Sequence, residues 1–568
     1  MCGLVITTQN EQIQTIVGDE KDPLSHGHIC PKALAYKDLH EDSDRLKFPV
    51  KKTNSGWEQI SWENALDEIA DKLVNIQKTY GNNAVGVYQG NPSVHNYGTL
   101  LYGPTFFSSL RTRNKFSAST VDQIPHQFAA YQMLGHQLLV PIPDIDRTQY
   151  MIILGGNPLV SNGSLMTAPD IRNRLKAIQS RDGKFVVIDP RRTETAKLAD
   201  EHYFIQPGTD VYFLIGIIQE IIKNGWIKQG HLDSVTKNLD EFLTSIPDIE
   251  LETISSITGI SSANIQQIAK EFSQAESAVC YGRMGACTQK FGGTVHWLIN
   301  MVNIITGNFD APGGAMFTSP AFDTLGNSQT KGHYNKGQSR VRNLPEFAGE
   351  YPAVTMADEM LVKGEGQIRA MVTSAGNPIL SVPGGEKLDR AFSGLEFMVS
   401  IDFYINETTR HADIILPPAF NLNGPHFDVV FNIFAVRDVV KYSNPIFPKE
   451  SGTKYDWEIF MGLEKRVAQK NGRKYSKINH FLSKKFGPEW LLDLGIRIGE
   501  YGSLKSLFKW NGLTLSKVKK QVHGVDLGPL KPRFPKRLFT SDKKIDLAPS
   551  IFIDDLKRVI SNVAQSNS

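Results

Sequence analysis

Two tripeptides carry the first chemical signal. Gly156-Asn157-Pro158 and Gly376-Asn377-Pro378 each end a short apolar run, residues 150–154 and 370–374. Each is followed by a helix-length stretch and a second apolar run that closes on an acid, Lys184 to Asp189 in one case and Phe397 to Asp402 in the other. Glycine lets backbone amides approach phosphate oxygens, and an acid at a strand's carboxyl end can bind ribose or guanine donors. Arg191 and Arg192 follow Asp189 closely and offer charge for phosphate. Pro207-Gly208-Thr209-Asp210 and Tyr281-Gly282-Arg283-Met284-Gly285 end two further apolar runs. Gly-Asn-Pro and Asp-Pro are also ordinary turn chemistry. Their recurrence in order, after strands, favours a nucleotide crevice. Two such units imply two nucleotide-like groups, or one large ligand with two nucleotide ends.

The thiols are the second signal. Cys2-Gly3-Leu4 and Ile29-Cys30-Pro31-Lys32 flank a turn-rich stretch, Gly18 to Gly27. Iron–sulfur clusters are usually held by four thiolates, and two are here. Lone cysteines are otherwise buried small hydrophobes, and Cys280 and Cys287, beyond a strand, read as packing residues.

The elements that must position these groups follow from pattern. At 568 residues the chain has room for roughly three to four domains. The apolar fraction is 40% and 62 basic residues face 59 acidic ones, so net charge argues for neither nucleic acid nor a membrane surface. The most apolar helix-length stretch, 210–227, is interrupted by Glu220, Lys223 and Asn224, so no span is expected. Met1 runs into Cys2-Gly3 without a charged leader, which makes the cytoplasm the expected compartment. Ser61 is placed to cap a helix whose Leu66, Ile69, Leu73 and Ile76 share one face. Strands are expected at 84–88, 203–206 and 277–280 beside the two units above. Residues 320–350 read as a long polar loop. From 464 onward the chain turns basic and irregular, and its last thirty residues show little sign of an independent core. The fold class is α/β with parallel sheets.

With these residues in order, the chain resembles the molybdopterin-guanine-dinucleotide oxidoreductases, the group that includes dimethyl sulfoxide reductase, formate dehydrogenases and nitrate reductases. The matching runs are Gly18-Asp19, His26-Gly27, Cys30-Pro31-Lys32, Asp44-Arg45-Leu46, Ile60-Ser61-Trp62, Asp189-Pro190-Arg191, Pro207 to Asp210, Gly307-Asn308, both Gly-Asn-Pro tripeptides, and Thr408 to Pro417. The resemblance implies two Rossmann-like parallel-sheet domains, each holding one pterin-guanine dinucleotide, with molybdenum or tungsten chelated between them. Gly156, Asn157, Pro158, Asp189, Arg191, Arg192, Gly208 and Asp210, with Gly282 and Met284, would hold one dinucleotide. Gly376, Asn377 and Asp402 would hold the other. Lys32 would lie between a 4Fe-4S cluster and the pterin. The implied division is 1–45 as remnant of the iron–sulfur domain, 46–135 with 330–440 as one α/β domain, 136–329 as the other, and 441–568 as connecting helices and a basic segment.

The resemblance also places the metal's protein ligand. Pro125 and Leu134-Gly135 align so that Asp122 takes the place of the family's thiolate, with Ser117 and Ser119 behind it and no cysteine near. The plain alternative is that Asp122 caps the following helix. Gln123 stands where formate dehydrogenases carry a histidine, which lowers formate as substrate. His126, one turn on, is a candidate replacement, although a helix histidine of this kind more often faces solvent. Two departures stand out. The family's cluster has two further cysteines ahead of Cys2, so Cys2 and Cys30 are an incomplete set. The family's C-terminal barrel domain is also missing, so the chain reads as trimmed at both ends. The implied function is two-electron redox of a small substrate, with an electron-transfer subunit or carrier as partner. The alternative is an inactive relative that keeps the cofactor-binding fold. A nicotinamide enzyme is disfavoured, because no Gly-x-Gly-x-x-Gly follows these strands.

Overall fold

Short apolar runs and amphipathic crossover helices assemble into two parallel sheets in a computed structural model that describes residues 2–163, 165–326, 330–504 and 511–566, the side chains of 563–566 excepted. In chain order, β1 (Leu4–Gln9) and β2 (Gln12–Gly18) form an N-terminal hairpin, and β3 (Val50–Thr53) and β4 (Gly56–Gln59) form another. Then come β5 (Val85–Gln89), β6 (Lys115–Ser117), β7 (Tyr150–Leu154), β8 (Lys184–Ile188), β9 (Glu201–Tyr203) and β10 (Ala278–Gly282). The last sheet strands are β11 (Ala370–Ser374), β12 (Phe397–Ile401) and β13 (Ile414–Leu416). The helices that position the site are α1 (Trp62–Tyr80), α2 (Ile124–Leu134), α3 (Ile171–Ser180), α4 (Asp210–Lys223), α5 (Gly292–Ile305), α6 (Gly385–Ser393), α7 (Asp456–Lys470) and α8 (Ser550–Ser566).

The larger sheet runs β4-β3-β13-β12-β11-β5-β6, the last five strands parallel and the hairpin antiparallel on one edge. The smaller runs β9-β8-β7-β10, parallel throughout. Strands β7, β10, β11 and β12 are buried along their whole length, as parallel strands covered by helices on both faces must be. Register brings the strand ends level: Leu154 pairs with Ile188 and Gly282, and Ser374 with Ile401 and Gln89. The loops that leave those ends therefore share one edge of each sheet, where α/β proteins bind ligands.

Helix α1 forms as its pattern dictates. Ser61 Oγ accepts from the Asn64 amide at 3.2 Å, and Leu66, Ile69, Leu73 and Ile76 are buried. Helix α4 is buried on nearly every side, which explains its apolar composition. Among the described residues, no helix is long and apolar enough to cross a membrane.

Three expectations are corrected. The 203–206 strand is Glu201–Tyr203, because Pro207 ends pairing and the Gln206 amide turns to Thr258 O. Within 320–350, Tyr334–Gln338 pairs antiparallel with Pro345–Phe347; residues 327–329 lie outside the described ones. Part of the stretch expected as irregular beyond 464 is helical, Lys477–Phe486 and Glu489–Ile498, the latter burying Leu492 and Ile496 one turn apart, while 499–514 and 520–549 hold no helix among the described residues. The final helix α8 shares the main core through Phe552, Leu556 and Val559.

Candidate functional site

The two Gly-Asn-Pro loops are built alike. Asn157 sits at φ −125°, ψ 69°, and Asn377 at φ −119°, ψ 71°. Asn157 Oδ1 accepts from Thr195 Oγ1 at 2.8 Å, while its Nδ2 donates to Glu194 Oε2 at 2.7 Å. Asn377 Oδ1 accepts from Thr408 Oγ1 at 2.7 Å, and its Nδ2 donates to Glu407 Oε2 at 2.7 Å. Each threonine hydroxyl also accepts an amide of its own loop, Leu159 N in one unit and Ile379 N in the other, both at 3.2 Å. These amide donors hold the Glu194 and Glu407 carboxyls below the usual range. Sequence reasoning missed this clamp. Its signal was present: Glu-Thr stands five residues after each strand-ending acid, Asp189 and Asp402.

Backbones meet closely at both loops. A Cβ on Gly285 would stand 2.9 Å from Gly155 Cα, and one on Gly376 would stand 2.9 Å from Gly90 Cα. Any side chain would fill the space between these turns, so glycine keeps backbone amides within reach of a ligand.

The strand-end acids are also alike. Asp189 accepts from the Arg191 amide at 2.8 Å, and Asp402 from the Phe403 and Tyr404 amides at 2.7 and 3.2 Å. Burial pushes both carboxyls up despite those donors. Asp210, at the start of α4, is buried, pushed up by that burial, and accepts from Gln289 Nε2 at 3.0 Å. Arg191, Arg192, Gly208 and Met284 are exposed around these acids, and Gly282 and Pro158 are buried.

Between the sheets lies an ion pair. Edge strand β6 leads through the turn Ala118–Val121 to Asp122, and edge strand β10 leads to Arg283. Arg283 Nη1 donates to Asp122 Oδ1 at 2.7 Å, with side chains 7% and 32% exposed. Asp122 does not cap α2, whose N-cap residue is Gln123 with no side-chain hydrogen bond. Ser117 Oγ donates to Glu350 Oε2 at 2.5 Å and accepts from the Ser119 amide, which fixes the turn ahead of Asp122. Burial pushes the Glu350 carboxyl up.

Beneath this pair sits a cluster that sequence distance concealed. His126 is buried, correcting the solvent-facing reading, and its ring centroid lies 3.8 Å from that of His296 on α5. Cys287, in the short helix Met284–Cys287, places Sγ 3.0 Å from His296 Nε2. Cys280 packs in the main core as expected, but Cys287 is not among that core's residues and belongs here instead. Burial pushes His296 down to about 3 and the Cys287 thiol up to about 12, so both are neutral near pH 7. Burial likewise lowers His126.

At the N-terminus, Cys2 and Cys30 are neighbouring free thiols, and burial raises the Cys2 thiol. Lys32 is exposed. Its charge joins burial, the larger cause, in lowering His95 to about 4.

The chain is similar to known proteins of one family. A family model described as molybdopterin oxidoreductase matches residues 45–466. The chain is 27% identical over 491 residues to the assimilatory nitrate reductase catalytic subunit of Bacillus subtilis, covering 82% of this chain and 67% of that one. It is 25% identical over 474 residues to formate dehydrogenase H of Escherichia coli, covering 78% and 63%. A putative formate dehydrogenase of Staphylococcus aureus matches at 24% identity over 496 residues, of which it uses 48% of its own length. The chain thus spans from about half to two thirds of the length of these relatives. Its fold is similar to that of acetylene hydratase from Pelobacter acetylenicus, with a TM-score of 0.75 at 20% identity, over 97% of this chain and 76% of that one.

Proposed function

The chain belongs to the molybdopterin oxidoreductase family, and from that premise we propose that it is a molybdenum or tungsten oxidoreductase holding two pterin-guanine dinucleotides, one along each sheet edge. The observation that carries this reading is the repeated Asn–Thr–Glu clamp. Two separate sheets present the same loop, with the same dihedrals and partners, at the end where α/β folds bind nucleotides. The residues fit such a group. Gly155 with Gly285, and Gly90 with Gly376, leave cradles that a Cβ would fill. Asp189 and Asp402 stand ready to accept from guanine or ribose donors.

When bound, the pterin-held metal supplies two-electron redox chemistry. The chain's own residues set its surroundings. Asp122 is the proposed protein ligand, since hard oxygen donors suit a high-valent metal. Arg283 orients that carboxylate and balances its charge. His126, one helical turn beyond and expected in the catalytic set, is buried against His296 and would act by supporting the Asp122–Arg283 pair from beneath. Lys32 carries positive charge on the side of the two N-terminal thiols. Those thiols would serve an iron–sulfur cluster only with ligands from elsewhere. Nitrate and formate are the first trial substrates, from the names of the relatives, with an electron carrier as the second reactant; Gln123 beside Asp122 weighs against formate.

The test is the content of molybdenum, tungsten, iron and acid-released guanine nucleotide per chain in the purified protein. Two guanine nucleotides per molybdenum or tungsten atom is the expected result. About four irons per chain would add a completed cluster. Neither metal nor nucleotide, after expression in a host that makes the cofactor, would sink the proposal and favour a relative that keeps the fold without the chemistry.

A further inference from the structure

We propose that His126, Cys287 and His296 form a second metal site, distinct from the pterin-bound metal, that takes a cation of the zinc class. One ligand atom from each residue lies within 4.8 Å of the others, and all three residues are buried. They come from three elements, α2, the short helix at 284–287 and α5, so the cluster is a product of packing and not of local sequence. Both imidazoles leave Nδ1 buried without a hydrogen-bond partner. Buried polar atoms are almost always partnered, and the unpartnered ring nitrogen of His126, packed against the His296 imidazole that already meets the Cys287 thiol through Nε2, calls for a ligand that the side chains do not supply.

The donor set selects the cation. Two imidazole nitrogens and a thiolate are ligands for zinc and its neighbours, and they disfavour magnesium or calcium, which prefer oxygen. The fit needs little movement. Tetrahedral zinc with ordinary Zn–N and Zn–S bonds sets neighbouring ligand atoms about 3.5 Å apart. Cys287 Sγ and His296 Nε2 are now 3.0 Å apart, a hydrogen-bond spacing that opens by a few tenths of an ångström when a cation replaces the shared proton. Binding releases that thiol proton to solvent, so a divalent ion and a neutral thiol give a metal thiolate and one proton. The plain alternative is a thiol–imidazole hydrogen bond inside a packed core. It accounts for the Cys287–His296 contact and leaves the buried Nδ1 of His126 unexplained.

The inference needs no pterin, because every ligand is a side chain of this chain, and the test reads it apart from the proposed activity. The full-length protein is stripped with a chelator and titrated with cobalt(II), which reports thiolate ligation by near-ultraviolet charge-transfer absorption. One cobalt per chain with that band is expected. Cys287→Ser, nearly isosteric, should lose the band and weaken binding at least about tenfold, with circular dichroism and melting unchanged. His296→Gln should weaken binding comparably. The proposal is overturned if wild-type protein binds no cobalt, or if the band and affinity survive in Cys287→Ser. It is also overturned if Cys287→Ser removes molybdenum from cofactor-loaded protein while wild type shows no cobalt band, since the cluster would then serve the pterin metal.

Discussion

At the residue scale, Asp122 decides most. Its carboxylate turns away from the helix it precedes and toward Arg283. If it ligates the metal, Asp122→Ala should abolish turnover with a viologen donor while pterin content survives. Unchanged turnover would remove the assignment. The same substitution deprives a nearly buried guanidinium of its carboxylate, so stability should fall by about 1–3 kcal/mol, read from the denaturation midpoint. Asp122 was reached through the family alignment of Pro125 and Leu134-Gly135, and the structure sets it one short turn beyond strand β6. Cys287 and His296 were not legible as a site. His126 and His296 are separated by 170 positions, and only the packing of α5 on α2 brings their rings together. A lone cysteine after a strand carries no local sign of such neighbours.

At the element scale, the repeated unit was readable because its strands are continuous apolar runs of the length parallel strands use, each stopped by Gly-Asn-Pro. The helices after residue 470 were expected only as unplaced connecting helices: the lysines of Lys477–Phe486 give that stretch a charged, irregular look, and Gly487-Pro488 separates it from Glu489–Ile498, which buries Leu492 and Ile496. The clamp makes a matched prediction. Thr195→Val and Thr408→Val each remove a buried hydroxyl that donates to an asparagine and accepts a loop amide. Each should cost about 1–3 kcal/mol, by similar amounts, in chemical denaturation. A large cost at one and none at the other would mean the two loops are alike only in shape. The residue before each glycine offers a second comparison. Ala375 sits at φ 48° and its counterpart Gly155 at φ 53°. A left-handed alanine is strained, so Ala375→Gly should stabilise by up to about 1 kcal/mol, net of the added chain entropy. Gly155→Ala should destabilise by more, because its Cβ would stand 2.7 Å from Ala286 N. Equal effects would contradict the strain argument.

At the scale of the whole molecule, the C-terminal segment straps the structure together. Arg437 grips Asp526 with two bonds of 2.8 and 2.7 Å, Thr236 pairs with Ile545, and Phe552 stacks on Trp297 at 5.5 Å. The strap's midpoint rests on acids. Asp310 accepts the amides of Arg533 and Phe534, each at 2.7 Å through Oδ2. Arg533 also pairs with Glu500 at 2.7 Å and Asp438 at 3.4 Å. Burial pushes Asp310 up to about 6, although the Phe534 and Arg533 amides and the charges of His231 and Arg533 pull the other way. Asp438 is likewise pushed up to about 6, chiefly by burial. A carboxyl whose folded pKa exceeds its unfolded value of about 3.9 favours the folded state fully below that lower value. That contribution is lost as pH rises through about 6. Docking of the strap should therefore weaken between pH 5 and pH 8. Amides near Arg533 and Phe534 should show less protection from hydrogen exchange at pH 8, after correction for intrinsic rates, while core amides of β7 hold theirs. Salt should change this little, since the cause is desolvation and not the Arg533–Glu500 pair, whose Glu500 alone is exposed. Equal protection at both pH values would show that the two acids ionise in the strap at no cost, and the burial argument would fail.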